Sequence, residues 1–179
     1  EVPVNAVRTS RATGYPLEPV GNPMLAGVGP GSWAPRQDIP DLTAHGDVRI
    51  VPMRIAIGFD LAAGETDPRG LPVMGCDQVV AGTVIDVWVD RSEQLIRYYE
   101  VELVGGERSI LLPNNFVVLR TGRDKLAYLY VHAATSEQFA LVPAHANPET
   151  VTRLEEDKIA AYFGSGLLYA VRDRREALL

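Results

Sequence analysis

The hydrophobic rhythm changes twice along the 179 residues of the chain. Up to position 47 there is none. Tyr15, Leu17, Met24, Leu25, Val28, Trp33 and Ile39 are scattered among seven of the thirteen prolines, with Gly14, Gly21, Gly27, Gly29 and Gly31 between them. Each proline lacks an N–H donor and restricts the residue before it, which excludes a helix or a central strand. A plain linker has no use for so many apolar side chains. Residues 1–47 are therefore read as an extended docking arm whose apolar groups fill pockets on a neighbouring surface, the alternative being an arm packed on its own barrel.

From Val48 the period becomes two. "VRIVPMRIAIGF" alternates through Ile57, and "DPRGLPV" at Asp67–Val73 reads as Pro/Gly punctuation. Val79–Val89 and Leu95–Leu103 are Val-, Ile- and aromatic-rich strands, followed across Gly105-Gly106 by Arg108–Leu112, then by Phe116–Arg120 and Leu126–Val131. About six short antiparallel strands with regular turns predict a mainly β fold, a small β-barrel over residues 48–134. In residues 135–179 the period becomes helical. Thr152 and Glu155 form a capping box, Glu155, Glu156 and Asp157 fill the first turn, and Ile159, Tyr162, Phe163 and Gly166-Leu167 recur on one face. This predicts one C-terminal helix at about 153–169.

Composition narrows the function. With 46% hydrophobic and 22% charged residues the chain is an ordinary globular one, and its net charge of −6 argues against a nucleic-acid partner. One cysteine, Cys76, excludes an internal disulfide and a zinc quartet. No apolar run reaches the roughly 18–20 residues that span a bilayer, and Ile159–Val171 is too short. The first residue is Glu1 rather than methionine, so a fragment or processed product is expected.

The candidate chemistry lies in the hairpin Val84–Leu103, "VIDVWVDRSEQLIRYYEVEL". Alternation places Asp86, Trp88 and Asp90 on one face. With Arg91–Gln94 as a four-residue loop, Asp90 stands opposite Leu95 and Trp88 opposite Arg97, so Arg97 would lie over the indole and neutralise Asp90. A solvated tip with a rim salt bridge explains the same pattern. Alternatively, Asp90 and Glu93 titrate as a coupled set with one pKa raised toward neutrality, which suits them to pass protons. His45, His132 and His145 have no metal-ligand spacing and no triad partner, although Asp47 stands two residues from His45. With no nucleophile–base pair, Gly-rich phosphate loop or metal set, the chain reads as a non-enzyme.

"GDVRIVPMRIAIGF", "DPRGLPVMGCDQVVAGTVIDVWVDRSEQLIRYYEVEL", "LLPNNFV" and "VTRLEEDKIAAYFGSGLLYA", together with the arm's "GYPLEPVGNPMLAGVGPGSWAPRQDIPDL", closely resemble the cytoplasmic, PRC-barrel region of the photosynthetic reaction-centre H subunit of purple bacteria. The resemblance runs from about Gly14 to Ala170, without the family's N-terminal transmembrane helix. It implies a non-pigmented subunit on the cytoplasmic face of the photosynthetic (chromatophore) membrane. Such a subunit caps the pigment-binding L and M subunits, shields the quinone sites and opens the proton path to the secondary quinone. A cytochrome subunit and light-harvesting antenna are admitted as further neighbours. The resemblance implies no cofactor on this chain; bacteriochlorophyll, bacteriopheophytin, quinones and non-haem iron belong to the partners. It assigns proton transfer to Asp90, Glu93, Arg97, His45 and Asp47, and more weakly to Glu149 and to Glu155–Asp157. Inhibitory transition metals bind near the position of His45 in some members. Here a second histidine is replaced by Asp47 and an aspartate by Thr43, which leaves His45 and Asp47 a reduced surface site. The competing reading is a soluble PRC-barrel binding module like those of ribosome-maturation factors, which the acidic charge and apolar arm disfavour.

Overall fold

The computed structural model describes residues 4–106 and 108–174; Pro3 of the arm and positions 175–179 of the C-terminal segment lie outside the described residues. The arm begins with a two-stranded ribbon in which β1 (Ala6–Arg8) pairs antiparallel with β2 (Leu17–Pro19). Two proline-containing 3-10 turns follow, Pro23–Leu25 and Gly29–Gly31, and both rest on α1 (Arg153–Tyr169). Met24, Ala26 and Val28 are buried there, and Ser165 Oγ donates to the Pro23 carbonyl at 3.1 Å. On another side α1 requires Gly166, because a Cβ at that position would lie 1.7 Å from the Ala133 carbonyl oxygen and 2.9 Å from the Met24 methyl. Farther along, Ala34, Arg36, Asp38 and Asp41 bond to the start of α1, whereas the side chains of Tyr15, Leu17, Val20, Ile39 and Leu42 stay exposed.

The main sheet has seven strands. In addition to β3 (Ile50–Pro52) it contains β4 (Pro72–Met74), β5 (Val80–Asp90), β6 (Leu95–Leu103), β7 (Ser109–Pro113), β8 (Val117–Thr121) and β9 (Ala127–Val131). The ladder runs β7-β6-β5-β4-β9-β8, with β3 also on β5; every pairing is antiparallel except β4–β9. The fold is thus mainly β with an arm and one helix, as expected, but the ladder stays open, ending at β7 and β8. Ile110, Leu111 and Leu112 are all fully buried, so β7 is covered on both faces. One cover is α1, whose Phe163 packs against Phe116, Phe139 and Tyr162 at ring separations of 5.7, 6.0 and 5.7 Å.

The expected capping box is present: the Glu155 N–H donates to Thr152 Oγ1 at 3.2 Å and the Thr152 N–H to Glu155 Oε2 at 2.8 Å. Three elements differ from expectation. The long strand expected through Ile57 is only Ile50–Pro52, because Pro52 has no donor and Met53–Ile55 coils into a 3-10 turn. The punctuation at Asp67–Val73 contains the start of β4, which lies inside the sheet with Pro72 as its first residue. Leu167, assigned to the apolar helix face, is exposed.

Candidate functional site

The carboxylates of the β5–β6 hairpin form two separate sites. Asp86 and Asp90 point to the same face but stand four residues apart, roughly 13 Å along a strand. Asp86 belongs to an inner site: Arg54 Nη1 donates to Asp86 Oδ2 at 3.0 Å and to Glu100 Oε2 at 2.7 Å. Trp88 Nε1 and Ser109 Oγ also donate to Glu100, at 3.0 and 3.2 Å, and Arg54 Nη2 donates to the Pro148 carbonyl. Both carboxylates are buried and saturated with donors, so this site locks the hairpin to the Pro148 loop. His145 meets the Trp88 ring edge-on at 5.4 Å, and burial pushes its pKa down.

Asp90 is the centre of the outer site and has no exposed surface. Its partner is Arg49, whose Nε donates to both carboxylate oxygens at 3.0 and 2.9 Å. The N–H groups of Ser92 and Glu93 donate to Oδ1 at 2.9 and 3.0 Å, capping the turn. The same guanidinium extends to Glu93 Oε1 at 2.6 Å and to Asp41 Oδ2 at 3.4 Å, and Arg153 Nη2 completes Asp41 at 2.6 Å. Arg49 thus ties the segment before β3, the hairpin turn and α1 together.

Arg97 does not neutralise Asp90. Val89 pairs with Ile96 but Trp88 pairs with Tyr98, which leaves Arg97 as the extra residue of a β-bulge. Counting without that bulge puts Arg97 opposite Trp88; Tyr98 occupies the position instead. Arg97 retains one weak contact, Nη1 to Glu93 Oε2 at 3.9 Å.

The bulge turns Tyr98 inward, where its hydroxyl donates to Glu156 Oε2 on α1 at 2.8 Å. Glu156 differs from its neighbours. Glu155 is occupied by capping and by the Ala146 N–H, and Asp157 by Arg36 and the Ala34 N–H. Burial raises the Glu156 pKa above its usual value, against the hydrogen bond from Tyr98 and the charge of Arg97. At Asp90 the balance is reversed. Burial pushes the carboxyl up, but Arg49 and the two N–H donors outweigh it and hold the pKa low. The carboxyl that burial raises is thus not Asp90 on the hairpin but Glu156 on the helix. Its partner Tyr98 is pushed well up, first by burial and then by Glu156.

His45 and Asp47 occupy the tip of a small hairpin whose base carries Asp41 and Arg49. The Thr43 N–H donates to the Asp47 carbonyl at 2.8 Å, Leu42 bridges to Val48, and the Arg49 N–H donates to the Asp41 carbonyl at 2.8 Å. Gly46 makes the turn at φ +87°. His45 and Asp47 are exposed, as is Glu149, whose N–H donates to Asn147 Oδ1 at 2.8 Å. Asp90, Glu93 and Arg97 thus share one network through Arg49 and Glu93, while His45 and Asp47 stand at the tip of the hairpin whose base carries Arg49 and Glu149 adjoins the Arg54 site through Pro148. Arg49 and Asp41 were not singled out in the sequence, where 40 residues of chain separate Arg49 from Asp90 and no spacing rule connects them. Among the described residues no group of three or more His, Cys, Asp and Glu side chains is arranged to hold a metal ion.

Two family profiles match the chain. One, described as the photosynthetic reaction centre, H-chain N-terminal region, covers residues 1–55, which include the His45–Asp47 tip, Asp41 and Arg49. The other, the PRC-barrel domain, covers residues 64–127 with Asp90, Glu93 and Arg97. The site is assembled across the two matched regions, and on both matches the chain belongs to the photosynthetic reaction-centre H-chain family, with the PRC-barrel as its β domain.

Proposed function

We propose that this chain acts as the non-pigmented H subunit of a bacterial photosynthetic reaction centre. It caps the cytoplasmic face of the pigment-binding L and M subunits at the chromatophore membrane, supports their quinone sites and forms the outer leg of the proton path to the secondary quinone. The chlorophylls, quinones and iron stay with the partners, and this chain holds none. Among the described residues no helix is long and apolar enough to cross a membrane; the family's N-terminal helix supplies that anchorage. The arm, residues 1–47, docks through Tyr15, Leu17, Val20, Ile39 and Leu42, which its own fold leaves exposed. The barrel, 48–134, presents the acid network, and the segment 135–179 adds Glu156 through its helix.

The observation that supports the relay most is the division of labour among carboxylates. Asp90 is held ionised as an anchor, whereas Glu156 is poised to gain a proton. A relay group must both take up and release its proton near working pH, and a carboxyl raised by burial moves toward that range. Water-derived protons enter at His45 and Asp47, with Glu149 as a lateral acid, and reach Glu93. They leave by way of Glu156, under the charges of Arg97, Asp41 and Arg49 that act on it. The test is reconstitution: the chain is mixed with pigmented cores stripped of this subunit and run on a gel-filtration column. Co-elution with the pigment absorbance is expected; elution as free protein would overturn the assignment.

A further inference from the structure

In a chain of net charge −6, one face gathers cations that form no ion pair among the described residues. The β8–β9 register pairs Arg120 with Tyr128 and Val118 with Tyr130, so these four side chains share a face, and His132 continues it beyond the strand. The Arg120 guanidinium lies 3.9 Å over the Tyr130 ring, whose centre is 6.3 Å from that of His132. Arg174 Nη1 donates to the carbonyls of His132 and Gly166 at 2.7 and 3.2 Å, and its Nη2 stands 3.5 Å from His132 Nδ1. Arg172 is exposed beside it.

Six arginines, Arg36, Arg49, Arg54, Arg69, Arg97 and Arg153, each meet a carboxylate, whereas Arg91 and Arg108 are held by backbone carbonyls. Among the described residues Arg120, Arg172 and Arg174 form no ion pair, although the exposed Asp173 stands between the last two in sequence. The Arg120 guanidinium is positioned by an aromatic ring and that of Arg174 by backbone carbonyls, so neither charge is taken up by an ion pair among the described residues. His132 responds to that field: burial first, then Arg174 and Arg120, push its pKa down. Tyrosine rings and an exposed Val118 lie between the cations. That mixture of amphipathic rings, aliphatic surface and arginine matches the headgroup layer of a bilayer, where rings sit at the interface and arginines meet phosphate.

We propose that the Arg120–Tyr130–His132–Arg174 face binds the phosphodiester headgroups of anionic phospholipid, holding the β8–β9 edge of the domain against the membrane surface. The test is flotation of the chain with vesicles of phosphatidylglycerol and phosphatidylcholine, compared with pure phosphatidylcholine. Binding is expected only with the anionic lipid, falling as salt rises. Arg120→Gln with Arg172→Gln, which breaks no hydrogen bond to the core, should weaken it roughly 30-fold (about 2 kcal/mol, for two surface arginines). Inorganic phosphate at millimolar levels should not displace the vesicles, because a single phosphate lacks the multivalency of a lipid surface. Equal binding by the double variant, equal binding to neutral vesicles, release by inorganic phosphate, or equally tight capture by polyglutamate would each overturn the proposal, the last reassigning the face to an acidic protein segment.

Discussion

Arg49 grips both oxygens of Asp90, at 3.0 and 2.9 Å, across 41 positions of sequence. Asp90 has no exposed surface, so its charge depends on that grip and on two backbone donors. Removing one partner of such a pair leaves a desolvated charge, which costs more than the pair contributes net. Arg49→Gln should destabilise the chain by roughly 3 kcal/mol, the lower part of the range for buried pairs because the arginine is a quarter exposed. Adding Asp90→Asn should recover part of the loss. Urea denaturation of the two single variants and the double variant measures the coupling.

Acid should dismantle the outer network. Asp90 and Asp41 both have folded pKa values below the usual 3.8, Asp90 against the push of burial and Asp41 mainly through Arg153. Such groups contribute stability that is present above pH 3.8 and lost as pH falls through their folded values. The melting temperature should therefore drop steeply below about pH 4, and less steeply in Asp90→Asn. Thermal melts between pH 2 and 5 measure both slopes.

Glu156 should behave in the opposite sense. Its folded pKa lies above 4.5, so its favourable contribution is present below pH 4.5 and is lost as pH rises through the folded value. Glu156→Gln keeps the acceptor for Tyr98 and removes the charge. The variant should be more stable than the parent at pH 7, with the difference vanishing below pH 4.5. Paired melts at those two pH values settle the sign.

The packing of α1 against the Ala133 backbone depends on one missing methyl. Gly166→Ala would drive a Cβ into the Ala133 carbonyl and the Met24 side chain, and should cost several kcal/mol while freeing the arm to proteases. Gly164→Ala, two residues earlier, meets only the Pro30 carbonyl at 3.4 Å. It should be neutral or gain up to about 1 kcal/mol of helix propensity. Limited proteolysis and melting of the two variants distinguish a specific fit from a general effect on the helix.

Local chemistry was legible in the sequence and long-range partnership was not. Thr152 and Glu155 announced the start of the helix because a capping box is contained in four residues. The β5–β6 hairpin was visible in its alternation, yet one extra residue at Arg97 shifted everything after it and delivered Tyr98, not Arg97, to the position opposite Trp88. No periodicity marks a bulge in advance. β4 was hidden because three residues carry no alternation, and its place between β5 and β9 is set by tertiary pairing. Of the Arg49 network, Asp90 and Glu93 stood out in the hairpin sequence. Arg49, Asp41 and the particular role of Glu156 were missed, since burial and cross-chain partners set those roles.

In the proposed relay, protons bound for the secondary quinone pass through carboxyls of this chain. The most direct measurement is flash-induced transfer of the second electron in reaction centres carrying Glu93→Gln with Glu156→Gln, both nearly isosteric. The account predicts slowing by at least about tenfold at neutral pH, with the first electron unaffected and the rate restored by a small permeant weak acid. Second-electron transfer at the parent rate in fully assembled complexes would contradict it.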